Sequence, residues 1–271
     1  MSDEARATLS SIWTIRLALF CVALVSVTIV FHRIFGMATP VALNLFALAF
    51  IGSAFAILVG LFALVRIWKR GWSGGANAVT GIVISALLLA WPLSYLPTAQ
   101  RLPMIYDVTT DPGDPPPLIA AARLRPQGAN PVAYPGVEFS EKQNATYVDL
   151  TPLFVDRPAV ETLEIVEQAL QRMRMTIVGE TSIGELGPGS GQIEAVDRTL
   201  VLGFYDDVAV RVTRVSGGSL VDVRSASRFG RSDLGRNADR IREVKAQIVE
   251  RLLSTVPASS GRSLTRRQRS K

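Results

Sequence analysis

The chain has 271 residues, 48% of them hydrophobic, with one cysteine, one histidine and a formal net charge of +6. That length holds a membrane unit plus one soluble domain and leaves no comfortable room for a second. The lone Cys21 excludes an intrachain disulfide, and His32, at the edge of an apolar run, excludes a Ser-His-Asp arrangement or a histidine-rich zinc site in the polar half. The charge excess sits at the far end, in Arg262, Arg266, Arg267, Arg269 and Lys271, so no nucleic-acid partner is expected.

No charge occurs from Leu17 to Phe31, from Ile34 to Val65, or from Gly71 to Gln100. A spanning helix needs roughly 20 apolar residues, because lipid cannot satisfy open backbone groups. The second and third runs meet that length, and the first does so if Arg16 snorkels to the headgroups. These runs predict a transmembrane region over residues 1–100, with spans near 12–33, 42–65 and 76–97. Lys and Arg in the flanking loops number five on one side (Arg6, Arg16, Arg66, Lys69, Arg70) and two on the other (Arg33, Arg101). This bias predicts a multi-pass protein of a bacterial inner membrane, amino terminus cytoplasmic and following domain periplasmic. A cleaved signal peptide is the rival reading of the first run, and it leaves that domain on the same side.

Residues 101–136 form a proline-rich strap, with eight prolines between Arg101 and Gly136 that forbid continuous helix or central strand. Leu118, Ile119, Leu124, Tyr134 and Phe139 are apolar anchors that favour packing over a loose linker. A soluble domain follows over residues 137–256. Pro158 suits a helix start, and Val160, Leu163, Val166, Leu170 and Met173 recur as one apolar helical stripe. Short strands are predicted at Met175–Val178, Gln192–Val196 and Leu200–Phe204, with a glycine-rich turn from Gly184 to Gly191. Asp207–Arg214 alternates, Ser216–Gly218 turns, and Leu220–Arg228 returns as a strand. The last helix is expected to start near Asn237 as N-cap, with Ile241, Val244, Ile248 and Leu252 as its stripe. Together these predict an α+β two-layer sandwich, an antiparallel sheet with both helices on one face. Residues 257–271 are expected to be a disordered basic tail.

The densest polar stretch runs from Arg224 through Ser225, Ser227, Arg228, Phe229, Gly230, Arg231, Ser232, Asp233, Leu234, Gly235, Arg236, Asn237, Asp239 and Arg240 to Arg242. With Ile193-Glu194-Ala195, Gly203-Phe204, Asp206-Asp207-Val208, Val210-Arg211, Asp114-Pro115-Pro116, Tyr134-Pro135-Gly136 and Pro152-Leu153, it closely resembles the family of domain of unknown function 1499. The resemblance covers about Asp111 to Leu252 and implies a domain, not a mechanism. Val148 departs from it, where similar sequences carry proline.

Strand parity places Asp222, Arg224 and Arg228 on one face, and Asp207 and Arg211 on the matching face of the neighbouring strand, with Glu194 possible beside them. One reading is a structural ion network under the strap. The other is an anion site of Arg211, Arg224, Arg228, Arg231, Asn237 and Arg240, with Glu194, Asp207, Asp222 and Asp233 as associated carboxylates. No metal site is expected, since Asp107, Asp111 and Asp114 fit no calcium loop, and no cofactor or catalytic residue is predicted. The predicted function is a non-enzymatic membrane protein whose Arg-rich face binds an envelope protein or an anionic lipid headgroup. The alternatives are an enzyme acting on a lipid or cell-wall precursor with Glu194 or Asp207 as base, and a purely structural scaffold.

Overall fold

The computed structural model describes residues 9–254, so the predicted basic tail lies outside the described residues. The chain divides into two compact units: one holds the residues up to Gln100 together with Leu200–Gly203, the other holds Arg101–Thr199 and the residues from Phe204 onward.

The first unit is three long helices, α1 (Leu9–Ile34), α2 (Thr39–Arg70) and α3 (Gly75–Leu93), each long and apolar enough to cross a membrane. Buried positions on α2 are Thr39, Ala42, Phe46, Ala49, Ser53, Ala56, Gly60 and Ala63, a strict alternation of three and four. On α1 they are Ser11, Thr14, Ala18, Cys21, Val25, Thr28 and His32, again three and four. That 3.5-residue period is the seam of left-handed helix packing, and small residues let the backbones approach. A Cβ on Gly81 would stand 2.8 Å from the backbone of Thr14 and Ile15. Leu48, Ile51, Phe55, Leu58 and Phe62 of α2 all face outward. The unit is thus inside-out for water, small and polar within and large and apolar without, which makes this a membrane protein.

The second unit is an open six-stranded antiparallel sheet in the order β1-β6-β5-β4-β3, with β2 also pairing β6. The central strands are β4 (Ser190–Arg198), β5 (Tyr205–Val215) and β6 (Gly218–Ser227), and β3 (Thr176–Thr181) is one edge. The other side is filled by β1 (Asp107–Thr109) and β2 (Leu153–Val155), each three residues long. Ser216 and Gly217 form the two-residue turn between β5 and β6, where Val215 opposes Gly218. Leu200–Phe204 is not a strand; it is the loop joining β4 to β5, because its residues have no ladder partner. Short helices α5 (Ala120–Arg123) and α6 (Val137–Thr146) lie between β1 and β2, while α4 (Leu96–Arg101) belongs to the first unit up to Gln100.

Two amphipathic helices, α7 (Ala159–Arg172) and α8 (Arg236–Ser254), cover one face of the sheet. Val208, Val210, Val212, Val221 and Val223 line that face and pack with Leu163, Val166, Leu170, Ile241, Val244 and Ile248. This is the expected α+β sandwich. Two further local expectations fail. Val160 is 55% exposed, because Ala159, Thr162 and Ile165 take the inward positions of the first turns. Asn237 is not the N-cap, because α8 already begins at Arg236.

Candidate functional site

The other face of the sheet carries charge and lies beneath the proline-rich strap. Register fixes the pattern: Arg211 opposes Asp222, Ala209 opposes Arg224, and Asp207 opposes Ala226. Glu194 joins them from β4, opposite Ala209. Parity sends each of these side chains away from the valines. The proline-rich segment packs on this face rather than hanging free, and supplies β1, α5 and most of the partners.

Each guanidinium is held by carboxylates. Arg224 grips Asp107 bidentately, at 3.0 Å from Nε and 2.7 Å from Nη2, and also donates to the carbonyls of Pro116 and Val132. Asp107 is fully buried and Arg224 is 3% exposed. Asp207 accepts from Arg228 on one oxygen (2.9 and 2.7 Å) and from Arg125 on the other (2.7 Å). Arg211 donates to Asp222 (3.2 Å), Asp111 (3.3 Å) and Asp114 (2.8 Å). Both oxygens of Glu194 accept backbone N–H groups, from Ile119, Ala120 and Ala121 at 2.9–3.0 Å. Gly179 permits this approach, since a Cβ there would stand 2.5 Å from that of Ala120.

The remaining predicted residues lie elsewhere. Arg240, fully buried on α8, reaches the helix-covered face and pairs with Asp206 and Asp197, bonding also to Ser225 and Asn237. Asn237 donates to the Tyr106 carbonyl and the Ser227 hydroxyl. Asp233 caps α8, accepting from the N–H of Gly235 (3.0 Å) and Asn237 (2.9 Å). The turn that presents it is strained, with Leu234 at φ 54 followed by Gly235 at φ 85. Arg231 stands exposed on the preceding loop, without an ion pair among the described residues. The six proposed anion ligands therefore divide into three places: Arg211, Arg224 and Arg228 under the strap, Arg240 and Asn237 under α8, and Arg231 in solvent.

Burial dominates the electrostatics. It pushes the Asp107 carboxyl up, against the opposing bonds from Arg224, and does the same to Asp222 against Arg211. Burial also raises Asp233, against the N–H groups of Gly235 and Asn237. Tyr134, whose ring has the Arg224 guanidinium 5.7 Å from its centre, is pushed to about 12 by burial and by the Asp107 charge. As chemistry, the face can hold a segment of chain in place. Glu194 and Asp207, the two carboxylates considered as bases, spend both oxygens on donors.

Sequence reasoning missed Asp107 and Arg125 as members of this network, and Gln143, whose side chain bonds both the N–H and the carbonyl of Thr109. A signal existed for the first: Asp107 sits in the eight-residue gap free of proline between Pro103 and Pro112, which leaves room for a short strand.

The family model described as a protein of unknown function, DUF1499, matches residues 107–248. The chain belongs to the DUF1499 family. The match begins at Asp107, the buried partner of Arg224, and ends at Ile248 in the core, so the family's unit contains the strap as well as the sheet. No curated protein matches this DUF1499 chain.

Proposed function

We propose that this DUF1499 protein is a non-enzymatic interaction module of the bacterial envelope, tethered by α1–α3 in the inner membrane with its domain in the periplasm. The five-to-two excess of Lys and Arg on the amino-terminal side supports that sidedness. The observation that carries the functional reading is the division of the arginines. Arg211, Arg224, Arg228 and Arg240 are consumed by internal carboxylates, and their work is to lock the strap and α8 onto the sheet. Arg231 alone among the proposed anion ligands offers an exposed guanidinium, on the loop that leads into the capped start of α8. A guanidinium fork suits a carboxylate or phosphate of an envelope protein or a lipid headgroup.

The test is purification of the full chain after crosslinking in intact cells, comparing wild type with Arg231→Glu. The proposal expects one reproducible crosslinked component that the substitution removes, with the thermal unfolding midpoint unchanged because the side chain is exposed. A crosslinking pattern indifferent to Arg231 removes its role in binding, and the structural scaffold then becomes the better reading.

A further inference from the structure

We propose that the turn between α2 and α3 binds the phosphate of an anionic glycerophospholipid between Arg66 and Arg70. This site belongs to the first unit and stands independently of the role given to Arg231. The guanidinium of Arg66 lies 4.8 Å from the centre of the Trp72 ring and 5.6 Å from that of Phe62, and the guanidinium of Arg70 lies 5.1 Å from the Trp72 ring. Two like charges are thus gathered at one indole. Aromatic faces attract guanidinium groups and leave the N–H donors in the guanidinium plane free for another acceptor.

No carboxylate of this segment competes for those donors, because the sequence from Ala5 to Tyr106 contains neither Asp nor Glu. Among the described residues Arg66 and Arg70 form no ion pair. Every guanidinium on the strap-covered face of the second unit has its acid, which makes the difference at this turn a specific one. A counter-charge is needed to offset the mutual repulsion of Arg66, Lys69 and Arg70, and the described residues of the unit contain no carboxylate to supply it.

The surroundings choose the ligand. Leu61, Phe62 and Val65 of the same helix end are exposed and apolar, and Trp68 is 91% exposed, so the neighbouring surface suits acyl chains rather than water. Trp at the end of a spanning helix marks the headgroup level, where the phosphodiester lies. At that depth the forks of Arg66 and Arg70 can each take a phosphate oxygen by charge-assisted hydrogen bonds. A free phosphate would leave the apolar flank unmatched.

The experiment uses the full chain reconstituted in nanodiscs of equal phosphatidylglycerol and phosphatidylcholine, with the lipids that stay bound counted by native mass spectrometry. Wild type is expected to retain phosphatidylglycerol in preference. R66Q/R70Q should lower the bound ratio by about fivefold per charge removed, whereas Arg101→Gln should barely move it. Trp72→Ala should weaken the preference with both charges still present. Thermal unfolding in the same discs checks that the variants fold. Equal retention of the two lipids by wild type, or an unchanged ratio in R66Q/R70Q, would overturn the proposal.

Discussion

A buried carboxylate that caps a helix is pulled two ways, and Asp233 shows which pull wins. Burial raises its pKa, while the N–H groups of Gly235 and Asn237 lower it, and the net direction is upward. The folded chain therefore binds this proton more readily than the unfolded chain does. By linkage, the stability Asp233 contributes falls as pH rises from the ordinary carboxylate range, near 4, through the raised folded value. Asn carries no charge and keeps one acceptor oxygen of the two, a loss of one hydrogen bond that does not vary with pH. Wild type should thus lose stability relative to Asp233→Asn as pH is raised through that window, read as the difference in unfolding midpoint. A wild type that instead gained stability relative to Asp233→Asn as pH rose would mean the cap outweighs desolvation. At this scale strand parity alone placed Asp207, Arg211, Asp222 and Arg224 on one face, as the register bears out. Their partners were not legible: Asp107 lies 117 residues from Arg224 and Arg125 lies 82 from Asp207, and no local period links such distances.

Elements were legible where one face is apolar and continuous. The stripe of Leu163, Val166 and Leu170 is buried as its spacing requires, and the alternating valines of β5 face the helices. Leu170→Ala should cost about 2–5 kcal/mol in unfolding free energy, while Val160→Ala, on the same sequence stripe but solvent-exposed, should be nearly silent. The short pieces escaped for a physical reason. β1 and β2 have three residues each, too few for alternation to show, and exist because β6 offers them a ladder. In the first unit the seam is read by glycine. Gly81 faces backbone atoms of α1 at 2.8 Å, whereas Gly52 faces only the Cys21 sulfur at 2.8 Å. A backbone cannot move aside as a side chain can, so Gly81→Ala should lower the thermal midpoint of the detergent-solubilised protein well below that of Gly52→Ala.

Across the whole molecule, hydropathy separates the membrane unit from the polar one, and the family match falls within the second apart from Leu200–Gly203. What hydropathy could not reveal is that the polar unit is stabilised on its two faces by different means. One face is closed by valines against α7 and α8; the other is closed by guanidinium–carboxylate pairs, with a small apolar cluster of Leu118 and Ala121 on Ala209 and Ala226, against a segment too rich in proline to form a helix layer. A buried ion pair is costly to break from one side, because the abandoned charge stays desolvated, yet it can be replaced by apolar groups at small cost. The decisive measurement is a double-mutant cycle on Arg224 and Asp107 in the full chain, read by denaturant unfolding. Arg224→Met and Asp107→Leu should each destabilise by about 3–5 kcal/mol, and the double variant by less than either alone. Single variants that unfold like wild type, or costs that simply add, would contradict a strap locked by buried charge.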